Sequence, residues 1–251
     1  MPNERTTECV LVCAAPERLE EAHALSERLG LALADALPED AAALVLDAEG
    51  LSLRRGSLSV RGDFAHMLPR ARAQNLRGEL LVRAARGRGG ERTLSVVDAT
   101  AGLGEDAFLL AAAGHRVQLF ERDPVIAAML RDALSRAAED PELREITGRM
   151  TLTEGDSVRG LRSLEAAPDV VVLDPMFPER KKSGLIGKKL QLLQVLERPC
   201  AEEEALLQAA IDAGPAKIII KRPLKGPFLA GRKPSYSLTG KAIRYDVIAL
   251  H

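Results

Sequence analysis

Five consecutive residues, Asp174-Pro175-Met176-Phe177-Pro178, follow the apolar run DVVVLD (169–174) and combine groups suited to holding a flat amine. An amine attached to an aromatic ring is a weak nucleophile because its lone pair is delocalised into the ring. If the Asp174 carboxylate and the Pro175 carbonyl each accept one N–H, the nitrogen is held with its lone pair aimed at an electrophile. Prolines stiffen such a loop, and Phe177 offers a ring on which a base can stack. The competing explanation is a proline-rich turn with Phe177 in the core.

A second chemical element follows the run LSVVDA (94–99). Gly102 and Gly104 allow a sharp turn and a close approach of backbone to ligand, because no side chain blocks them. Gly102-x-Gly104-x-x-Ala107 also fits a dinucleotide fingerprint, so the spacing alone does not choose a ligand. The next residues do. Glu105 and Asp106 open a helix, where they would repel the anionic pyrophosphate of a dinucleotide. Together with Asp98 they favour a cationic sulfonium ligand that carries an amino group, S-adenosylmethionine, over NAD; helix capping is the alternative use for Glu105 and Asp106. Glu121 ends the next strand nineteen residues after Gly102, and its carboxylate could accept from both ribose hydroxyls while Arg122 packs on the adenosine. Asp156-Ser157 end the strand after that and could meet the adenine edge, although both are common turn residues.

The elements that must position these residues alternate along the chain. Apolar strands are expected at 94–99, 115–121, 150–156, 169–174 and 217–223, with helices at 105–114, 125–137 and 203–214 and a closing hairpin over 236–250. Asp123 and Pro124 supply an N-cap and a first-turn proline. Strands apolar at nearly every position imply a parallel sheet covered on both faces, an α/β fold whose ligands sit beyond the carboxyl ends of the strands. Ahead of this lies a different texture: a strand near 10–14, a helix over 16–30 ending at Gly30, and strands joined by turns over 42–62. The expected division is a small N-terminal α/β domain, residues 1–72, and a ligand-binding domain, residues 73–251.

The chain has 251 residues, is 46% hydrophobic and carries a formal net charge of −1, an ordinary globular composition. No apolar run is long enough to span a membrane, and the start has no basic flank with a long apolar stretch, so a cytoplasmic location is expected. The three cysteines, Cys9, Cys13 and Cys200, are too sparse for a disulfide framework and have no partners for a metal site, so they are expected to be structural thiols. Charge is segregated: ten arginines against three acidic residues between Arg54 and Arg92, and eight lysines or arginines with no acidic residue between Ala213 and Tyr245. The run Glu179-Arg180-Lys181-Lys182 to Lys188-Lys189, with Lys221, Arg222 and Lys225, would set cations beside the proposed centre as partners for nucleic-acid phosphates.

Asp174-Pro175-Met176-Phe177 resembles the Asp/Asn-Pro-Pro-Tyr/Phe motif of amino-methyltransferases, departing at Met176. Taken in order, VVDATAGLGEDAF (96–108), LFERDPV (119–125), VVLDPMFP (171–178) with the lysines beyond it, and IIIKRP (218–223) resemble the ribosomal RNA small subunit methyltransferase J family. The resemblance covers roughly residues 60–250. It implies a Rossmann-like class I S-adenosylmethionine-dependent methyltransferase fold and methylation of the exocyclic N2 amine of one guanosine in small-subunit (16S) ribosomal RNA. The partner would be that RNA or the ribosomal subunit, with no metal and no membrane. It further implies cofactor contacts at Glu105, Asp106, Glu121, Arg122, Asp156, Ser157 and Asp174. The rivals are an adenine-amine methyltransferase acting on RNA or DNA, an NAD-dependent oxidoreductase, and a non-catalytic RNA-binding protein.

Overall fold

The computed structural model describes residues 9–39, 41–86, 92–175 and 203–250. Two sheets share the chain. The first is built from β1 (Cys9–Cys13), β2 (Leu33–Ala34), β3 (Ala42–Asp47), β4 (Gly50–Arg55) and β5 (Leu58–Arg61) in the order β2-β1-β3-β4-β5. Helix α1 (Leu19–Leu29) covers it and stops where the sequence predicts, at Gly30, whose φ of +64° is the left-handed conformation that glycine adopts at little cost. A short connecting segment follows, with α2 (Leu68–Ala71), α3 (Ala73–Leu76) and α4 (Leu80–Ala85). The expected boundary after residue 72 falls between α2 and α3.

The second sheet contains β6 (Ser95–Asp98), β7 (Arg116–Glu121), β8 (Met150–Glu154), β9 (Val170–Leu173), β10 (Lys217–Pro223), β11 (Tyr236–Thr239) and β12 (Ile243–Ala249), in the order β11-β12-β10-β9-β6-β7-β8. Strands β6 to β10 pair in parallel, and β12 runs antiparallel to β10 and β11. Between them lie α5 (Glu105–Ala112), α6 (Pro124–Glu139), α7 (Arg144–Thr147), α8 (Ser157–Arg162) and α9 (Glu203–Asp212). Alternate residues of the strands point to opposite layers. Val96, Val117, Leu119, Val172 and Ile219 pack with α4, α5 and α6, whereas Val97, Phe120, Val171, Leu173 and Ile220 pack with α8 and α9. This double covering is why these strands read as continuous apolar runs.

The chain runs outward from β6 through β7 to β8 and then returns to β9 on the other side of β6. The order therefore reverses between β6 and β9, and the carboxyl ends of these two strands bring Asp98 and Asp174 to the switch point, the place where ligands bind in open α/β sheets.

The first sheet shares its core with the second through α6. Leu11, Leu44, Leu53 and Val60 form one buried cluster with Val125, Ile126 and Met129 of that helix. Asp132 accepts the Leu51 N–H at 3.1 Å and pairs with Arg136 at 2.9 Å, and Arg136 donates to the Gly62 carbonyl. Helix α6 itself starts as the sequence predicts: Asp123 accepts from the Val125 and Ile126 N–H groups, with Pro124 in the first turn.

Candidate functional site

Loop and helix geometry at the end of β6 follow from two glycines with different tasks. Gly104, at φ +77°, precedes α5, and a Cβ there would lie 2.9 Å from Leu130 Cδ1 and 3.4 Å from Phe64 Cζ. Gly102, at φ +53°, has nothing within 4 Å of the corresponding point, so it borders open space. Gly104→Ala is expected to destabilise the fold by about 1–3 kcal/mol from strain and crowding together. Gly102→Ala should cost about 1 kcal/mol in stability, because a residue with a side chain must then hold a positive φ in otherwise open space. Urea titration of both variants separates the two effects.

The residues predicted to carry chemistry converge on this loop, with differences in detail. The Thr100 side-chain oxygen accepts the Asp174 backbone N–H at 2.6 Å, which ties the loop after β9 directly to the glycine loop. Asp106, from the first turn of α5, and Asp174 both reach the Lys221 ammonium, at 2.8 Å and 2.9 Å. Asp98 lies beside them, 2% exposed, accepting the Thr100 N–H at 3.1 Å. Burial, reinforced by the charges of Asp106 and Asp174, pushes the Asp98 carboxyl up to about 7. Asp174 is pushed up by the protein around it and by Asp106, against the pull of Lys221.

Glu121 ends β7 as expected, but both its oxygens hold backbone. Oε2 accepts the Gly102 N–H at 2.9 Å and Oε1 the Asp123 N–H at 2.8 Å, and burial pushes the carboxyl up to about 7. It thus fixes the glycine loop, and each oxygen keeps one lone pair for a further donor. Arg122 is exposed. Neither Glu105 nor Asp106 caps α5, since Gly104 holds the cap position and no side chain accepts there. Glu105 lies 3.4 Å from His66 Nε2 rather than with Asp106 on Lys221. Asp156 caps α8 through the Arg159 N–H, and Ser157 is its first residue; the Gly155 N–H to the Glu121 carbonyl keeps this strand end level with the end of β7. Pro175 is buried next to Asp174. Met176, Phe177, Pro178, the lysines at 181, 182, 188 and 189, and Cys200 lie outside the described residues.

One sequence expectation needs correction. Lys221 and Arg222 are not phosphate contacts: Lys221 is held by Asp106 and Asp174, and Arg222 is 1% exposed with Nε donating to the Pro227 carbonyl. Four arginines of the basic stretch between Arg54 and Arg92 pair with carboxylates of the chain, Arg54 and Arg61 with Asp47, Arg70 with Glu79 and Arg92 with Asp169. Arg72, Arg77, Lys225 and Lys241 are among the exposed cations of the two basic stretches. The turn carrying Lys241 packs against α4 at Leu80 and bonds to Leu224, which sets it beside Lys225. Among the cysteines, Cys9 is buried and burial pushes its thiol up to about 11, which makes it inert, whereas Cys13 is half-buried. Thr100 and Tyr245, both at the cluster, were not singled out in the sequence; Thr100 stands between Asp98 and Gly102, and Tyr245 carries no local signal.

Comparison with known proteins places this geometry. A family model described as a putative SAM-dependent methyltransferase matches residues 24–249. Ribosomal RNA small subunit methyltransferase J of Thioalkalivibrio sulfidiphilus is 40% identical over 242 residues, covering 93% of this chain and 94% of that protein. The protein of the same name from Pseudomonas aeruginosa is 43% identical over 235 residues, covering 91% and 89%. Among solved structures, a SAM-dependent methyltransferase of Neisseria gonorrhoeae superposes with a TM-score of 0.75 at 30% identity, covering 96% of this chain and 95% of the other. The fold is the Rossmann-like class I arrangement expected from the sequence, with the additional N-terminal sheet. On matches that run through nearly its whole length, the chain belongs to the ribosomal RNA small subunit methyltransferase J family of SAM-dependent methyltransferases.

Proposed function

We propose that this chain transfers a methyl group from S-adenosyl-L-methionine to the exocyclic N2 amine of a guanosine in small-subunit (16S) ribosomal RNA, in the cytoplasm. The observation that carries the reading is the meeting of two loops: the glycine loop after β6 and the Asp174-Pro175 loop after β9 are joined by the Thr100 bond and by one ammonium. The names and extent of the relatives support the substrate class.

The site suits the donor chemically. Asp98, Asp106 and Asp174 outnumber the single Lys221 ammonium, so the crevice favours a cation, and Gly102 leaves open space beside them. The donor contacts are assigned to Asp98, Gly102, Glu105, Asp106, Glu121, Arg122, Asp156, Ser157 and Asp174. When bound, S-adenosylmethionine supplies a methyl carbon whose bond to sulfur breaks, leaving the electron pair on sulfur, as the new N–C bond forms. Asp174 and the Pro175 carbonyl each accept one amine N–H and so orient the nitrogen lone pair. Asp174 takes up the proton that the nitrogen loses and passes it to water. Phe177 is assigned to stacking on the base. The target guanosine must leave its stack to reach the site, and the exposed Arg72, Arg77, Lys225 and Lys241 are the cations assigned to its flanking phosphates.

Donor affinity should depend on pH with a definite sign. Asp98 and Glu121 are both raised to about 7, so each is largely protonated at pH 6 and largely ionised at pH 8. Ionised carboxylates favour the sulfonium cation. Affinity for S-adenosylmethionine is therefore expected to rise about five- to tenfold from pH 6 to pH 8, and affinity for its neutral thioether product to rise less. Calorimetry with both ligands across that range checks this; equal pH dependence would remove the charge argument.

The function itself is tested by incubating the protein with tritiated S-adenosylmethionine and ribosomal RNA from a strain lacking it, followed by nucleoside analysis. Labelled N2-methylguanosine is expected. Labelled methyladenosine would move the target to the other base, and absence of label in the RNA would overturn the reading.

A further inference from the structure

Lys221 sits in β10 with its side chain 26% exposed, and its ammonium lies 2.8 Å from Asp106 Oδ2 and 2.9 Å from Asp174 Oδ2. The groups that face this point come from every neighbouring element. Asp98 closes the end of β6, Tyr245 pairs directly across from Lys221 on β12, and Arg70 of α2 and Arg222 of β10 act from farther out. Burial alone would lower the pKa of the ammonium, but Asp106 and Asp174 outweigh it and hold Lys221 well above its usual range. Lys221 therefore stays charged at any assay pH and cannot be the base that collects a proton from the amine. Among the described residues its ammonium meets the carboxylates of Asp106 and Asp174, and through them it can act on the reaction.

The geometry divides the work on Asp174. Oδ2 takes the ammonium and the backbone N–H is anchored on Thr100, which, among the described residues, leaves Oδ1 as the acceptor for an amine N–H. Asp106, on the other side of the same ammonium, pushes in the opposite direction by raising the charge cost of an ionised Asp174.

We propose that Lys221 is a positioning residue for methyl transfer: by gathering Asp106 and Asp174 on one ammonium it keeps the Asp174 carboxylate ionised and aimed, without touching the base. This rests on the role given to Asp174 above. A residue serving only to hold the fold would affect stability but would leave the pH profile where it was.

The experiment is single-turnover methyl transfer to ribosomal RNA at saturating donor, from pH 5.5 to pH 9, for the unaltered chain, Lys221→Met, Lys221→Arg and Asp106→Asn. Lys221→Met is expected to move the acid limb up by about one pH unit or more, with a loss of about 100-fold at pH 6 and about tenfold at pH 8.5. Lys221→Arg should restore the limb and bring the rate to within about threefold. Asp106→Asn leaves Lys221 to Asp174 alone, so its acid limb should move down. A Lys221→Met rate within about threefold of the unaltered chain at every pH, or an acid limb that stays put, overturns the proposal. Should Lys221→Met give no cooperative melt, Asp106→Asn decides, because a limb that fails to move down is equally fatal. No transfer by the unaltered chain would remove the functional reading and this inference together, whereas normal transfer with an indifferent Lys221→Met removes only the inference.

Discussion

Asp174→Ala is expected to lower the rate of methyl transfer by about 10³-fold while changing RNA affinity by less than about threefold. The loss is large because the carboxylate acts where geometry matters most: it holds an N–H of a weak nucleophile and receives the departing proton, and effects of orientation and preorganised charge each reach about 10²-fold or more. RNA affinity should survive because the exposed cations assigned to phosphates, Arg72, Arg77, Lys225 and Lys241, lie on other elements. Asp174→Asn keeps one acceptor oxygen but adds donors that face Lys221, so a loss of about 10²-fold is expected from it. The measurements are single-turnover rates at saturating donor and RNA binding at a stated salt concentration. A chain that merely bound RNA would have no transfer to lose, and an Asp174→Ala variant retaining a tenth of the activity would remove this residue from the reaction centre.

Phe108→Ala is expected to destabilise the fold by about 3–5 kcal/mol, a large fraction of the 5–15 kcal/mol typical of a domain. Phe108 of α5 is fully buried and stacks on Phe64, with ring centroids 5.1 Å apart and planes 12° from parallel. Phe64 belongs to the segment that leaves the first sheet, so this pair fastens the N-terminal region to the helix that carries Asp106. The same substitution should therefore weaken donor binding as well, since α5 loses the wall that sets its position. Urea unfolding followed by circular dichroism gives the first effect and calorimetry the second. A loss below about 1 kcal/mol would mean that these rings do not hold the two parts together.

Local chemistry was legible in the sequence wherever a residue acts within a few positions of itself. Asp123 caps α6 through N–H groups two and three residues on, and Gly30 ends α1 because its own backbone must turn left-handed. The strands were readable because being buried on both faces leaves an unbroken apolar run, and the parallel sheet then carried Asp98, Glu121 and Asp174 to one edge. The carboxylates proposed to meet a cation, and the acceptor pair proposed for an amine, were likewise readable as residue types at strand ends.

What residues 98–106 and 174 do with their neighbours was decided by the tertiary structure. Lys221, followed by Arg222, reads as part of a phosphate-binding edge, yet its partner Asp106 is 115 residues away, brought there by the placing of β10 two strands from β6. Arg61 likewise finds Asp47 across the first sheet, and Glu121 turns both oxygens onto backbone N–H groups that exist there only because the glycine loop returns to it. An ammonium, a guanidinium or a carboxylate states its own charge in the sequence but not which opposite charge it will meet. That choice belongs to the topology, because a charge drawn away from water must be compensated by whatever the fold brings within a few ångströms.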